Sequence, residues 1–138
     1  MMSNFKDPNR FDKMIEIFQD RVPWEERILL PYSPYLFIVQ KEDDSRVMKC
    51  RCGFEFGDYR VNWKMQALIY LRDSDEKLQE IYPPLMHTDP GFTVLREYYC
   101  PGCKTQLEVE VAPPGYPIIF DFEPDLDVFY REWLGREP

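Results

Sequence analysis

The sequence lacks the features by which several large classes of protein are recognised. No apolar run approaches the roughly 20 residues that a helix needs to cross a bilayer. With only 6 glycines, the chain has no glycine-rich phosphate loop of the Walker or dinucleotide type. Residues 1–10 do not resemble a signal peptide. These absences predict a cytoplasmic protein that does not span a membrane.

Basic residues are too scattered to indicate a nucleic-acid-binding surface. The net charge is -8, and residues 1–69 hold 11 basic and 11 acidic side chains, whereas residues 70–138 hold 6 and 14. Because phosphate binding relies on clustered lysine and arginine, this distribution excludes a nucleic-acid partner. Most of the acidic excess is typical of a solvated face.

No set of side chains suggests catalysis. His87 is the single histidine, it lies in a proline-rich loop, and no serine or cysteine motif accompanies it. A surface or capping role fits His87 best, and a position within reach of a metal stays an open alternative. The alternating Asp121, Glu123, Asp125 and Asp127 could hold a hard cation. That spacing crosses an expected strand-to-helix junction, so capping and solvation explain it better, and we predict no catalytic residues.

All four cysteines fall into two close pairs, Cys50 with Cys52 and Cys100 with Cys103. A turn containing glycine follows or separates each pair and lets both thiolates point the same way. Four thiolates form the closed tetrahedral site that zinc takes in structural ribbons. The second pair has typical zinc-knuckle spacing, and the first is one residue shorter than usual. We predict a structural Zn²⁺ site on these four cysteines that ties the middle of the chain to a later hairpin.

Three other uses of the cysteines stay open. Disulfides are disfavoured because the expected compartment is reducing. A redox dithiol at Cys100 and Cys103 would stand at the start of a helix after a strand, whereas a strand is expected to follow this pair. Iron could replace zinc on the same ligands.

The pattern of short apolar segments predicts an antiparallel β core. Residues 35–39 read as a buried strand, and the charged turn 41–46 reverses the chain into 47–50. Residues 92–99 and 106–111 form a second hairpin around the later cysteine pair. We predict an α+β fold, with a zinc-ribbon-like antiparallel β core and short amphipathic helices at both ends.

The alternation within the last strand predicts which side chains face the core. The apolar set should point inward and the polar set outward: Leu107, Val109 and Val111 against Gln106, Glu108 and Glu110.

Between the hairpins the signals are weaker. The prolines at positions 23, 31 and 34 prevent a long regular element. Gly57 and Asp58 read as a turn, and residues 62–72 as a short helical start followed by a strand. Asp73, with the glutamate three residues later, indicates a short helix over 74–81.

Both terminal helices carry an apolar stripe. Asp7 should cap the first helix with Pro8 at its first position, and the stripe is Phe11, Met14, Ile15 and Phe18. Asp125 should cap the last helix and Gly135 end it. Its stripe is Leu126, Phe129, Tyr130, Trp133 and Leu134. Each stripe either packs on the protein's own core or docks on a partner chain.

These elements group into three segments of one structural unit. Residues 1–34 hold the first helix and a proline-rich connection, residues 35–112 the zinc-ribbon-like β domain, and residues 113–138 an extended aromatic tail with the last helix.

Several long blocks carry a family resemblance. They are residues 50–64 (CRCGFEFGDYRVNWK), 95–103 (LREYYCPGC), 113–122 (PPGYPIIFDF) and 125–135 (DLDVFYREWLG). In this order they resemble the small gamma subunit of acetone carboxylase, over residues 45–135. The short chain favours the related acetophenone branch.

The resemblance implies a subunit of an ATP-dependent, biotin-independent ketone carboxylase. In that family large, hydantoinase-like subunits act on bicarbonate and the ketone with ATP and a divalent cation, and the small subunit carries zinc. The family's metal-binding cysteines carry over onto Cys50, Cys52, Cys100 and Cys103. We therefore predict a non-catalytic subunit that organises these large partners.

Three alternatives remain at this point. A free-standing zinc-ribbon adaptor would have the same cysteines, as would an iron-thiolate or dithiol redox protein. A third possibility is that the subunit supplies a residue such as His87 or Tyr116 to a channel at an interface.

Overall fold

The computed structural model describes residues 7–138, which divide into two compact units. Unit 1 comprises residues 7–61 and 122–138, and unit 2 comprises residues 62–121. The first six residues of the predicted N-terminal segment lie outside the described residues, and the division into three segments stays a prediction. Within residues 7–138, no helix combines the length and the apolar character that crossing a membrane requires.

Unit 1 is built on a four-stranded antiparallel sheet. Its strands are neighbours in chain order: β1 (Arg27–Pro31), β2 (Leu36–Gln40), β3 (Arg46–Cys50) and β4 (Glu55–Asp58). The central β2 is apolar and buried from Leu36 to Val39. It pairs with β3 across the charged turn, from Leu36 opposite Cys50 to Gln40 opposite Arg46. The hairpin predicted from the sequence is confirmed.

The two edge strands of this sheet were not predicted. β1 ends on Pro31, which an edge strand tolerates because one side of it needs no ladder hydrogen bonds. The prediction of a turn at Gly57 and Asp58 is wrong, because both residues lie in β4. Gly57 has φ +91°, and the register skips Phe56 at a bulge. Glycine marks this bulge rather than a chain reversal.

Helix α1 (Arg10–Gln19) packs on this sheet. Ile15 and Phe18 lie against a core cluster of buried side chains, which are Ile28, Phe37, Val39 and Val47. Core packing therefore accounts for this part of the stripe. The prediction that Asp7 is the N-cap is wrong: the N-cap is Asn9, and its side chain forms no capping hydrogen bond. The carboxylate of Asp7 instead accepts from the Asn9 amide at 2.9 Å and from Lys13 Nζ at 2.6 Å.

The last helix also belongs to unit 1. Asp125 caps the short helix Leu126–Val128 by accepting from the Val128 amide at 3.0 Å, as predicted. A π-helical turn over Phe129–Trp133 continues it. Because a π-helical turn holds more residues than an α-helical turn, side chains of the predicted apolar stripe no longer share one face: Tyr130 is buried, whereas Trp133 is 79% exposed.

Unit 2 contains a three-stranded antiparallel sheet. Its elements are a short 3₁₀ helix (Trp63–Gln66), β5 (Leu68–Arg72), α2 (Asp75–Gln79), β6 (Val94–Tyr99) and β7 (Gln106–Ala112), with the sheet order β5-β6-β7. By this numbering the C-terminal helix Leu126–Val128 is α3. The helical start followed by a strand is confirmed, and Ser74 rather than Asp73 caps α2 by accepting from the Lys77 amide. The two sheets and the short helices form the predicted α+β architecture.

The predicted facing of β7 is wrong for four of its side chains. Val109 is 45% and Val111 64% exposed, while Leu107 is half-buried. Glu108 and Glu110 point toward cations instead: Glu108 Oε1 lies 2.6 Å from Lys64 Nζ, and Glu110 Oε2 lies 3.1 Å from Arg96 Nε. Buried cations reverse the polarity that simple alternation predicts.

Candidate metal centre

The first cysteine pair stands on a tight turn at the end of β3. Cys50 is the last residue of the strand and is buried, and Cys52 is exposed. The Gly53 amide donates to the Cys50 carbonyl at 2.8 Å, and the Cys50 amide donates to the Phe54 carbonyl at 2.8 Å. Gly53 has φ +101°, where a side chain would be strained. This glycine lets the chain reverse directly after the second thiol.

Neighbouring side chains hold that turn in place. The Arg51 amide donates to the Tyr35 carbonyl at 2.8 Å. The Arg51 carbonyl in turn accepts from the indole Nε1 of Trp24 at 3.2 Å. The same indole lies over Gly53, with Cδ1 3.5 Å from the point a Cβ would occupy. The first pair is thus fixed by backbone and side-chain contacts on both sides of the turn.

The second pair occupies the connection between β6 and β7. Cys100 is fully buried and Cys103 is exposed. The Cys100 amide donates to the Thr105 carbonyl at 3.0 Å, and its carbonyl accepts from the Lys104 amide at 2.9 Å. Lys104 takes a left-handed conformation with φ +61°, which closes the turn. The Sγ of Cys103 lies 3.2 Å from Thr105 Oγ1, within hydrogen-bonding range for sulfur.

The Sγ atoms of Cys50, Cys52, Cys100 and Cys103 all lie within 4.8 Å of one another. Zinc–thiolate bonds of 2.3 Å give a tetrahedron whose sulfurs are about 3.8 Å apart. Each pair contributes one buried and one exposed cysteine. Four cysteines this close could hold a metal ion. That these four are its ligands stays a prediction.

Strands on both sides of the second pair argue against the redox alternative. A reactive dithiol is activated at the start of a helix, where the helix dipole stabilises the thiolate. Here β6 ends at Tyr99 just before Cys100, and β7 begins at Gln106 just after the turn. No helix dipole acts on this pair from its own connection.

A buried cation lies next to the first pair in the chain. The side chain of Lys49 is 6% exposed and forms an ion pair with Glu26, and its Nζ lies 3.5 Å from Glu55 Oε1. It also lies 5.1 Å from the centre of the Trp24 ring. The hydrogen bond from Lys49 lowers the pKa of Glu26. Lys49 is therefore held in place, and its charge neutralised, by the carboxylates of Glu26 and Glu55.

The other residues that the sequence singled out have structural contacts. His87 Nδ1 lies 2.9 Å from the Thr88 carbonyl oxygen and 3.8 Å from Asp75 Oδ1. In the acidic series, Asp125 caps a helix, Asp127 pairs with Arg46 at 2.8 Å, and Asp121 pairs with Lys64. Among residues 7–138, only the four cysteines bring three or more potential metal-binding atoms together.

Unit 2 also contains buried charges that the sequence did not reveal. The side chain of Lys64 is 1% exposed and contacts Glu108 and Asp121. Burial acts to lower the pKa of Lys64, but hydrogen bonds to Asp121 and Glu108 outweigh it and raise this pKa. The Lys64 Nζ also lies 5.1 Å from the centre of the Tyr98 ring. Nothing local in the sequence distinguishes this lysine from a surface one.

Two arginines are buried in the same sheet. Arg72 Nε donates to Glu97 Oε1 at 2.9 Å, and Arg96 donates to the Tyr116 carbonyl at 2.8 Å. Tyr98 donates to Glu110 Oε2 at 2.7 Å. Burial, and then this hydrogen bond, raise the pKa of Tyr98. These polar contacts offset much of the cost of burying such side chains.

Comparison with known proteins gives consistent matches. The family model described as acetone carboxylase gamma subunit matches residues 22–134. The acetone carboxylase gamma subunit of Xanthobacter autotrophicus is 48% identical over 136 residues, which cover 98% of this chain and 81% of that protein. The acetophenone carboxylase beta subunit of Aromatoleum aromaticum is 33% identical over 82 residues, covering 55% of this chain and 60% of that protein.

Proposed function

Because this chain belongs to the acetone carboxylase gamma subunit family, we propose that it is the non-catalytic, zinc-binding small subunit of a ketone carboxylase. The reaction is proposed to be ATP-dependent and biotin-independent. In this proposal the chain organises larger subunits rather than performing the chemistry. The names of both relatives, which are carboxylase subunits, support the assignment to a complex.

The observation that carries the zinc proposal is the convergence of four cysteine sulfurs within 4.8 Å. Thiolates are soft ligands that suit zinc, and four of them complete a tetrahedron without an open position. Cys50, Cys52, Cys100 and Cys103 would hold the ion. A closed site serves structure, and binding to such sites contributes on the order of 10 kcal/mol to folding at neutral pH.

The catalytic work is assigned to the partner chains. We propose that these are large, hydantoinase-like subunits that bind ATP and a divalent cation. Of the acidic side chains singled out by the sequence, Asp125 caps a helix, and Asp121 and Asp127 form ion pairs. The single histidine contacts a backbone carbonyl and a carboxylate. These roles are those of a scaffold.

The ketone is proposed to be acetone. Identity is 48% to the acetone enzyme's subunit and 33% to that of the acetophenone enzyme. The match to the acetone enzyme's subunit also covers more of both chains. This proposal replaces the preference for acetophenone that the chain length alone suggested.

The test is to tag the chain in its native host, purify it under mild conditions and identify the proteins retained with it. We expect large carboxylase subunits in a fixed ratio, one zinc per chain, and ATP hydrolysis by the complex that depends on acetone. Recovery of a solitary zinc protein would instead support a free-standing adaptor. Iron-thiolate colour or a reversible thiol couple would support the redox alternative.

A metal-site variant tests the structural role of zinc. Cys100→Ser removes a buried ligand, and we expect it to lose zinc, unfold and leave the complex. Ser45→Ala, at an exposed turn, is the control and should keep both zinc and partners. A metal-free Cys100→Ser protein that stays folded and assembled would contradict the proposal.

A further inference from the structure

The connection between α2 and β6 exposes an unusual number of large apolar side chains. This segment, residues 81–92, is called the exposed loop below. Its exposed apolar residues are Ile81 (47% exposed), Tyr82 (40%), Leu85 (97%), Met86 (72%) and Phe92 (77%). Single exposed apolar residues are ordinary, but a concentration of them marks an interaction surface.

Local hydrogen bonds give the exposed loop a defined shape. The Met86 amide donates to the Pro83 carbonyl at 3.0 Å. The Phe92 amide donates to the Asp89 carbonyl at 3.0 Å, and Asp89 Oδ1 accepts from the Gly91 amide at 2.8 Å. These hydrogen-bonded turns hold the backbone that carries Leu85, Met86 and Phe92 in a defined conformation. The apolar exposure is therefore a property of a specific conformation.

Backbone strain at the tip supports this interpretation. Leu85 has φ +65°, a left-handed conformation that is unfavourable for a bulky L-residue. Its side chain is almost fully exposed, so packing within the chain does not compensate for the strain. Residues held in such conformations cluster at binding sites, where the strain is part of presenting the side chain.

The charges that border the exposed loop indicate the chemistry of what binds it. The contact of His87 with Asp75, 3.8 Å, places the start of α2 beside the loop. Two neighbouring carboxylates are neutralised: Asp73 pairs with Lys77 at 2.7 Å, and Glu80 pairs with Arg72 at 2.6 Å.

Three other carboxylates near the loop have no such partner. In the part of the chain that the structure describes, Asp75, Glu76 and Asp89 form no ion pair with a lysine or arginine. The apolar residues are therefore accompanied by uncompensated negative charge. A complementary surface combines an apolar hollow with basic side chains at its rim.

We propose that the exposed loop is the docking element by which this subunit binds a larger subunit of the carboxylase, in an apolar hollow with a basic rim. A second copy of this chain is a poor occupant, because two acidic rims would face each other and repel. The proposal rests on the proposed function and adds the surface and the chemistry of the partner site.

The test compares two double variants for binding to the purified larger carboxylase subunits. Leu85→Glu with Phe92→Glu places charge on the two most exposed large apolar side chains of the loop. Ile17→Glu with Val61→Glu does the same at exposed positions of unit 1, which are 50% and 55% exposed. We expect Kd to rise about 100-fold for the loop variant, as at interface hot spots, and to change less than about twofold for the control.

A second measurement uses the unaltered chain, in case the loop variant does not fold. Amide hydrogen exchange of residues 81–92 should slow at least about tenfold when the larger subunits bind, because docking suppresses local opening. Zinc content and circular dichroism establish whether each variant is folded. Unchanged exchange in the loop within a stable complex would overturn the docking assignment.

The outcomes separate this proposal from the one it rests on. If the wild-type chain retains no larger subunit, the proposed function fails. If the wild-type chain binds and the folded loop variant binds within about twofold of it, the proposed function stands and the surface assignment fails. If the wild-type chain self-associates, and the loop variant loses this self-association but still binds the larger subunits, the occupant is a second copy and the proposal is overturned.

Discussion

The hydroxyl of Tyr130 donates a hydrogen bond of 2.8 Å to the backbone carbonyl of Leu29. Leu29 lies at a bulge in β1, where the register passes from Ile28 opposite Val39 directly to Leu30 opposite Ile38. A bulged residue is not paired in the ladder, so its backbone groups need another partner. The C-terminal helix supplies that partner to the N-terminal sheet within unit 1.

Tyr130→Phe should therefore destabilise unit 1 with little change in shape. The variant keeps the ring but leaves the buried Leu29 carbonyl without this donor, which costs about 1–3 kcal/mol of unfolding free energy. Chemical denaturation measures the loss. Tyr116→Phe, at a half-exposed tyrosine, is the control and should unfold like the wild type. Equal stability of all three proteins would show that the Leu29 carbonyl does not depend on Tyr130.

Stability should fall at alkaline pH through Tyr98. Burial and the hydrogen bond to Glu110 raise the pKa of Tyr98 above its unfolded value of about 10. The folded state therefore keeps a proton that the unfolded state loses. The stabilisation is complete below pH 10 and is lost above it, by about 1.4 kcal/mol per pH unit for this group.

The check is urea unfolding between pH 8 and pH 11 for the wild type and Tyr98→Phe. The variant should be less stable at pH 8, because Glu110 loses its hydrogen bond, but its stability should fall less steeply above pH 10. Tyr130 also has a pKa raised by burial, so some slope should remain. Identical slopes in the two proteins would contradict the role of Tyr98.

Thr105 should contribute to metal affinity without being a ligand. Its hydroxyl lies 3.2 Å from Cys103 Sγ and can donate to the thiolate form of that sulfur. Hydrogen bonds of this kind orient ligands, and losing one lowers metal affinity about 10-fold or more. Thr105→Val should show this loss in a zinc competition assay with a chelator. Thr105→Ser keeps the hydroxyl and should bind zinc like the wild type.

Lys64→Met should be strongly destabilising, because it leaves Glu108 and Asp121 without their shared cation. Breaking a fully buried pair costs 3–5 kcal/mol. Both carboxylates are partly exposed, which reduces the expected loss to about 2 kcal/mol. Adding Glu108→Gln and Asp121→Asn should recover part of it. Arg60→Met, which removes an exposed ion pair with Asp58, should leave the melting temperature unchanged.

Features fixed by neighbouring residues were predictable from the sequence. The run of strand-favouring residues in β2 and the charged turn after it predicted the hairpin with β3. Asp125 caps its helix, and Gly135 takes the left-handed conformation expected after a helix end, with φ +66°. The cysteine spacing predicted for the same reason that the two sulfurs within each pair lie close together, since each pair stands on one short turn.

Features fixed by distant residues were not predictable. Lys64 and Asp121 are 57 positions apart, and without such partners Glu108 reads as a solvent-facing residue of an alternating strand. The prolines around β1 argued against a strand there. An edge strand tolerates proline because its outer side is unpaired, but the sequence does not show which strands lie at an edge. The π-helical turn changed which apolar side chains of the last stripe are buried, and a prediction based on the regular helical period does not include such a turn.

The contact between Tyr130 and Leu29 spans 101 positions, and this sets an order of events during synthesis. Residues 62–121 form a contiguous unit, and domains generally fold as units during synthesis. The unit containing β1 also includes residues 122–138, which are translated after the whole of residues 62–121. The bulged carbonyl of Leu29 therefore stays without its tyrosine until Tyr130 has been synthesised, and a nascent chain that stalls before Tyr130 holds an incomplete first unit.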